Sequence, residues 1–360
     1  MATDPWTAGM LLAAFAGGAF GAAVGALPSF VLAGLVVVLG EVYRIGLRAA
    51  GVVPPIDITG TVGFGVVLGP HVAFGGGAAA LAYAVRRGYV EAGFESRAAR
   101  DVTRGLGCRP DVLAVGGLFG VAGHAVASLS RAVAVPADPV ALGVVASAFL
   151  HRAAFGYSLV GDAAGGRFDM GPYERWRDGG ADDDAAADAA SGPDAVADGG
   201  GPAVEPWLPH QYRWRDVIGV GAAVGVLGAY VAYLTGSPFL AFGISVVALA
   251  FLTADVAAIP VTHHVSLPAS TAVLALAGAP PGGLAPAAVA DAVALPEALL
   301  VGGLFGVAGA LLGEALQRAL YAHAETHLDP PAASIVVTSA LIAALALAGV
   351  LPSAAWVPAP

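Results

Sequence analysis

Hydrophobic residues occur along this chain in long, nearly uncharged runs separated by short polar stretches. Residues 8–27, for example, contain no charged side chain, and about 20 apolar residues are enough for an α-helix to cross a bilayer. The runs, and the Pro and Gly residues that interrupt them, predict ten helical segments. These lie near residues 8–27, 29–46, 60–88, 111–134, 138–160, 216–235, 238–257, 260–279, 297–322 and 332–352. The pattern predicts an all-α, polytopic membrane helix bundle.

One polar stretch interrupts the hydrophobic pattern and divides the chain into three parts. We expect a first membrane repeat at 1–161, an acidic linker at 162–215 and a second membrane repeat at 216–360. Residues 178–200 contain seven Asp and no apolar side chain larger than Val, which predicts a disordered, solvated linker. The alternative is a calcium-binding segment, but the spacing of the Asp residues matches no coordination loop.

An internal repeat relates the two halves. Residues 115–123 read VGGLFGVAG, and residues 301–309 repeat all nine letters. An Asp-Pro pair precedes the fifth segment of each half, at 138–139 and 329–330. Because the matches occur in the same order in both halves, the sequence predicts two five-helix repeats.

The composition agrees with a lipid-facing surface. Hydrophobic residues make up 58% of the chain and charged residues 12%, with a mean hydropathy of +0.78, whereas soluble domains carry about 25% charged residues. The N-terminus lacks the basic region and cleavage site of a signal peptide, so we expect the first segment to be retained. The single Cys108 excludes an internal disulfide.

The segment 64–87, FGVVLGPHVAFGGGAAALAYAVRR, resembles the uncharacterised multi-pass membrane families of haloarchaea. All sixteen basic residues are Arg and none is Lys, which also suits a halophilic archaeon, although a GC-rich genome alone would have the same effect. The resemblance implies a membrane protein and carries no known activity.

The distribution of Arg predicts the orientation. Six Arg lie between 86 and 109 and five between 167 and 215, and cytoplasmic loops carry the excess of basic residues. We therefore expect a multi-pass protein of the cell membrane with a cytoplasmic linker and an N-terminus outside. An odd number of segments in each half makes the repeats inverted. Arg44, Arg48 and Arg131 fall on the outer side, against this rule.

Two histidines at matched positions mark the candidate site. His71-Val72 aligns with His264-Val265, and an ionisable residue inside a membrane span is a functional candidate. The nearby Pro and Gly residues predict broken or re-entrant helices, which expose backbone groups to a cavity. Structural hydrogen bonding of the rings, and an interfacial position for the carboxylate, are the alternatives. The candidate pathway residues are Gly69, Pro70, His71, Asp255, His263 and His264.

Together these features predict a membrane transporter or channel for a small solute or ion, with its site at the interface of the repeats. The alternative is a non-transporting membrane scaffold or a subunit of a larger membrane complex. The sequence contains no Walker loop and no intramembrane protease motif, so we expect no enzyme, no cofactor and no metal site. With a net charge of −10 and no basic stripe, nucleic acid is excluded as a partner. The expected partners are the lipid bilayer and an unknown solute or ion; the sequence leaves open whether the chain forms a homo-oligomer.

Overall fold

The computed structural model describes residues 4–90, 97–163, 166–179 and 204–358. All regular elements within these stretches are helical, with thirteen α-helices, one π-helix and one short 3-10 helix. The predicted all-α class is therefore confirmed. Each of the ten predicted segments coincides with one helix or with two consecutive ones.

The first half consists of five α-helices, with a π-helix between the second and the third. They are α1 Ala8–Val24, α2 Ala26–Ala49, the π-helix Thr59–Gly63, α3 Ala73–Arg86, α4 Pro110–Ala132 and α5 Pro139–Phe155, with a 3-10 helix at Ala98–Arg100. A short helix, α6 Gly171–Gly179, follows in the polar stretch. The second half comprises α7 Trp214–Thr235, α8 Leu240–Val247, α9 Leu249–Thr253, α10 His263–Leu276, α11 Pro286–Ala292, α12 Leu295–Leu320 and α13 Pro330–Leu347.

The helices of the two halves pack in matching patterns. In the first half, α4 packs against α1, α3 and α5, and α3 also contacts α1, α2 and α5. In the second half, α12 packs against α7, α10 and α13, and α10 also contacts α7, α8 and α13. The halves meet where α2 packs against α8 and α5 packs against α13.

Both of these contacts between the halves join antiparallel helices. Gly34 of α2 lies against Val246 near the end of α8, whereas Glu41, farther along α2, accepts a hydrogen bond from Ser237, just before α8 begins. At the other contact, the backbone N–H of Asp138, before α5, donates to Ser339 Oγ of α13 at 2.9 Å. At these two contacts, the packed helices therefore run in opposite directions.

The repeated nonapeptide is a packing segment. Gly116 and Gly120 of α4 lie directly against the backbone of Gly18 on α1. The matched residues of α12, Gly302 and Gly306, lie against Gly225 on α7 in the same way. Small residues permit this close approach, which lipid-embedded helices need because lipid supplies no hydrophobic force between them.

A methyl group at Gly225 should therefore destabilise the protein. A Cβ there would lie 2.6 Å from the Gly302 carbonyl oxygen and 2.9 Å from Gly306 Cα. We expect Gly225→Ala to lower the free energy of unfolding by about 1–3 kcal/mol, measured by thermal unfolding of the purified protein in detergent. Gly219→Ala on the same helix is the matched control, because a Cβ there meets no atom within 4 Å. Equal shifts for both variants would contradict this packing role.

The third segment of the first half is interrupted at its centre. The π-helix ends at Gly63 and α3 begins only at Ala73, so the predicted segment 60–88 is discontinuous. Its counterpart α10 begins at His263 and contains Pro268. α3 and α10 each have 14 residues.

The described residues on both sides of the acidic core, 166–179 and 204–212, pack against the helices. Arg318 of α12 donates hydrogen bonds to the carbonyl oxygens of Phe168 (2.7 Å) and Tyr212 (2.9 Å). A small buried cluster joins the same parts; its members are Met170, Tyr173, Val204, Tyr212 and Ala322. Most of the acidic core lies outside the described residues, so its disorder stays a prediction.

Five helices are long and apolar enough to cross a membrane, namely α2, α4, α7, α12 and α13. Large apolar side chains also point outward from the bundle, and Leu12, Leu118 and Leu300 are each more than 60% exposed. An apolar outer surface of this kind needs lipid rather than water around it. The helices therefore indicate a membrane protein.

Candidate functional site

A large cavity lies between the two halves. Its volume is about 1070 Å³, at the upper end of the range for small-molecule sites. Both halves supply aromatic rings to its wall: Phe30, Phe64 and Phe74 from the first and Phe239, Phe242 and Trp356 from the second. The rings of Phe64 and Phe239 lie 5.1 Å apart, across the contact between the halves.

The cavity reaches the surface at one end, which we call the mouth. Asp57, Arg131 and Gly282 line it there and are exposed. Beside the mouth, Glu41 is fully buried and accepts hydrogen bonds from Thr59 Oγ1 (2.7 Å) and from the Ser237 hydroxyl.

Arginine also holds the mouth together. Arg44 forms an ion pair with Glu41, and Arg48 donates a hydrogen bond to the Gly282 carbonyl. Together with the hydrogen bonds of Glu41, these contacts link α2 to Thr59 in the first half and to Ser237 and Gly282 in the second. The three Arg that violate the charge rule, Arg44, Arg48 and Arg131, all lie at this end of the bundle.

The inner part of the cavity contains two of the predicted histidines. His71 and His263 line the cavity and are 1% and 2% exposed. Pro70 lines the wall beside His71. Gly69 packs directly against the His71 ring, because a Cβ on Gly69 would lie 2.6 Å from His71 Cε1. The His263 ring lies 5.1 Å from Phe30.

The other two candidate residues lie elsewhere. His264 lines a separate small pocket of about 30 Å³ with Glu314 and Gln317, and its ring lies against Gly313. Asp255 is exposed in the loop after α9, where its φ is 58°. The structure thus brings His71 together with His263 rather than with its sequence counterpart His264.

The sequence match between His71 and His264 nevertheless has a structural basis. The carbonyl of His71 lies against Gly123 and that of His264 against Gly309, which are the last residues of the two nonapeptides. In the register of this repeat, Ser128 and Arg131 of the cavity wall correspond to Glu314 and Gln317 of the small pocket. We therefore call the small pocket the counterpart pocket.

Two carboxylates of the cavity were missed by the sequence reasoning. Asp138 and Asp329 both line the cavity and are 7% and 8% exposed. They are the N-caps of α5 and α13: Asp138 Oδ1 accepts from the Val140 N–H at 2.8 Å, and Asp329 Oδ2 from the Ala332 N–H at 2.8 Å. The repeated Asp-Pro pair was the available signal, but it served only as a marker of the duplication. An Asp before a Pro at the start of a helix is usually interpreted as an N-cap, so the pair did not indicate a position in the cavity.

The segment 204–212, which we call the cap segment, covers the counterpart pocket. The Trp207 N–H donates to Gln317 Oε1 at 2.6 Å, and the Gln211 side chain exchanges two hydrogen bonds with the backbone of Val261 at 2.7 and 2.9 Å. Leu208 of this segment is itself buried and lines the pocket. The cap segment thus forms one wall of the counterpart pocket through Trp207, Leu208 and Gln211.

Buried arginines close the bundle between the cavity and this face. Arg100 is fully buried and donates to the carbonyl oxygens of Tyr321 (3.0 Å), Ala322 (3.1 Å) and Ala324 (2.8 Å). Arg152, also fully buried, donates to the Thr326 carbonyl at 2.8 Å. We call this region, opposite the mouth, the closed end.

No group of three or more His, Cys, Asp or Glu within the described part of the chain is placed to hold a metal ion. The cavity wall combines aromatic surface with three histidines and three carboxylates, namely His71, His124, His263, Asp57, Asp138 and Asp329.

Comparison with known proteins adds a family but no activity. No curated protein and no solved structure matches the chain. A family model does match, over residues 1–360, and its description is a family of unknown function, DUF7973. The chain therefore belongs to the DUF7973 family.

Proposed function

We propose that this protein is a membrane carrier for a small solute, not an enzyme, and that it works by alternating access. The observation that carries the proposal is the cavity between the halves, open at the mouth and closed opposite it, together with the collapsed counterpart pocket at the other face. A carrier needs one binding space that is reached from one side at a time.

Inverted repeats are part of this proposal. The antiparallel packing of α2 on α8 and of α5 on α13 supports a two-fold axis in the membrane plane, because such an axis reverses the direction of equivalent helices. Under this operation the wall around His71 exchanges with the wall around His264. The cavity and the counterpart pocket are then two forms of one vestibule.

Short helices at the cavity also favour a carrier. At 1.5 Å per residue, α3 and α10 are each about 21 Å long, less than the ~30 Å hydrocarbon core. They fit re-entrant or half-spanning helices, of which α3 begins two residues after His71 and α10 begins at His263. Unwound backbone inside a membrane is tolerated where it lines a cavity.

The distribution of charge supports an orientation. Arg44, Arg48 and Arg131 are the Arg residues at the mouth, and the other thirteen of the sixteen lie toward the closed end. The excess of Arg places the closed end in the cytoplasm and the mouth outside. The N-terminal residues lie at the mouth, since the Pro5 carbonyl bonds His124 Nε2 at 2.9 Å and lines the cavity.

The scaffold alternative is less well supported. A scaffold has no need for a polar cavity between its halves, and buried histidines and carboxylates in such a space are costly unless they are used. A channel needs a continuous path, whereas the buried Arg100 and Arg152 fill the closed end. Carrier is therefore the function that the geometry favours.

Sided cysteine labelling tests the proposal. Val140 lines the cavity, so in a Cys108→Ser background we expect Val140→Cys in oriented proteoliposomes to react with a membrane-impermeant thiol reagent from the mouth side. Reaction from the Arg-rich side should be slower by about tenfold but measurable, because a carrier spends a minor fraction of time in its other state.

The parent protein supplies the control for sidedness. Its native Cys108 is exposed just before α4, at the Arg-rich face, and should react from that side only. No reaction of Val140→Cys from either side would contradict a solute cavity, and equal reaction from both sides would indicate a channel.

A further inference from the structure

The inner part of the cavity has a distinct chemistry, with buried carboxylates surrounded by aromatic rings. We propose that the carried solute is an organic cation, such as a hydrophobic amine or a quaternary ammonium or phosphonium ion. This inference rests on the proposed function and names its substrate class. It follows from the arrangement of four features: the carboxylates, the rings, the mouth and the helix termini.

Each carboxylate keeps one oxygen free of its capping role. Asp138 caps α5 through Oδ1, and its Oδ2 has no hydrogen-bond partner among the described residues. Asp329 caps α13 through Oδ2, while its Oδ1 lies 3.6 Å from His327 Nε2. The two residues are 7% and 8% exposed, so their charge is poorly solvated. Arg131 lies within electrostatic range of Asp138, and His263 and His327 lie within range of Asp329. A cation in the cavity would add to this partial compensation of their charge.

The aromatic wall suits the same ligand. Phe30 forms edge contacts with Phe74 and Phe242, at centroid distances of 5.9 and 6.2 Å, and three more rings line the cavity. Aromatic faces attract cations, most strongly where water is excluded. They also accommodate the apolar part of the ligand.

Positive charge is confined to the mouth. Among the described residues, Arg44 and Arg131 are the Arg side chains of the cavity wall; Arg44 is paired with Glu41, and Arg131 is exposed. No other Arg of the described residues lines the wall, and Arg131 lies close enough to Asp138 for their charges to interact.

The helix N-termini do not favour an anion either. α5 and α13 begin at the cavity, and a free helix N-terminus attracts negative charge. Here the N–H groups of Val140, Ala141 and Ala332 already donate to the Asp caps. The cavity therefore offers an anion few donors and a cation two carboxylates.

A pair of ions with the same shape and opposite charge tests this inference. Tetraphenylphosphonium and tetraphenylborate would be dialysed to equilibrium against the purified full-length protein, with protein-free micelles as the partition blank. We expect saturable binding of the phosphonium, and Asp138→Asn and Asp329→Asn should each weaken it about tenfold or more, the usual loss when a buried charge partner is removed. Asn remains a good N-cap, so the thermal unfolding midpoint should stay near that of the parent.

Asp255→Asn is the matched control, because Asp255 is an exposed carboxylate outside the cavity, and it should leave binding unchanged. The phosphonium should also slow the labelling of Val140→Cys. Absent phosphonium binding, equal or tighter binding of the borate, or binding that is insensitive to both cavity substitutions would each overturn the inference. Labelling of Val140→Cys from the mouth side and, more slowly, from the Arg-rich side, without phosphonium binding, would reject the substrate class and leave the carrier standing. An unreactive Val140→Cys would reject the carrier itself.

Discussion

Replacing Arg100 by alanine is expected to lower the free energy of unfolding by about 3–5 kcal/mol, the loss typical of breaking a buried charge network. Arg100 lies in the loop before α4, yet its partners belong to the far side of the bundle. Its guanidinium bonds three backbone carbonyls between 321 and 324, forms an ion pair with Glu205 at 3.3 Å and stacks 4.5 Å above the ring of Tyr321. Alanine would remove one donor from each of these carbonyls and would break the ion pair with Glu205. Each carbonyl would keep one other donor: the Ala324 N–H for Tyr321, the Glu205 N–H for Ala322 and the Arg97 side chain for Ala324.

The surroundings of Arg100 show how strongly this site is desolvated. Burial and the charge of Arg100 lower the pKa of the neighbouring Arg97 to about 10. Arg100→Lys should recover only part of the lost stability, because a single ammonium cannot reproduce the planar fork of donors. Thermal and denaturant unfolding in mixed micelles would measure both variants.

Arg215→Ala is the matched control for Arg100→Ala. The Arg215 side chain is 77% exposed and pairs with its neighbour Asp216 at 3.3 Å. An exposed pair of this kind contributes roughly 0–1 kcal/mol. Comparable, small losses for the two variants would show that Arg100 does not hold the closed end together.

The hydrophobic pattern predicted the helices well because lipid imposes it. A spanning helix must keep its backbone bonded internally and its outer side chains apolar, so α4, α7 and α12 begin and end within two residues of the predicted limits. The break between Gly63 and Ala73 was predictable for the same reason, since Gly and Pro accumulate there. The spacing of the glycines in the nonapeptide agrees with its packing role, because glycines four residues apart lie on one helix face.

The geometry of the site was less accessible from the sequence. His263 and His264 are consecutive, and only the start and rotation of α10 decide that the first faces the cavity and the second the counterpart pocket. Symmetry pointed to His264, since it matches His71, but the cavity is not symmetric about the axis. Glu41 forms hydrogen bonds with Thr59, which lies 18 positions later in the chain, and with Ser237, which lies 196 positions later. No local sequence pattern encodes this proximity.

The cap segment was not predicted, because it lies in the polar stretch, although its sequence contains a motif that also occurs near the N-terminus. Both halves open with an acidic residue followed by Pro and Trp: Asp4-Pro5-Trp6 in the first and Glu205-Pro206-Trp207 in the second. Trp6 is 46% exposed at the mouth, whereas the ring of Trp207 lies 5.5 Å from that of His327 in the closed end. In an alternating carrier the two segments are equivalent lids, of which one is open and the other shut.

Opening the shut lid should therefore expose the counterpart pocket. We expect Trp207→Ala combined with Leu208→Ala to raise the labelling of Val261→Cys from the Arg-rich side by about tenfold or more, since each 1.4 kcal/mol taken from the closed state shifts the equilibrium tenfold. Val261 lines the counterpart pocket and is 1% exposed, so it should be nearly unreactive when the lid is intact. The thiol reagent and the Cys108→Ser background are those used for Val140→Cys.

Two further cysteines make this measurement specific to alternating access. Val273→Cys is the matched control: Val273 is fully buried on α10 away from both spaces, so its labelling would reveal general loosening rather than a lid. Val140→Cys should lose reactivity from the mouth side when the lid is removed, because the two forms of the vestibule exclude each other. Increased labelling of Val261→Cys with unchanged labelling of Val140→Cys would argue against a carrier, since removing one lid would then leave the mouth open as in a channel.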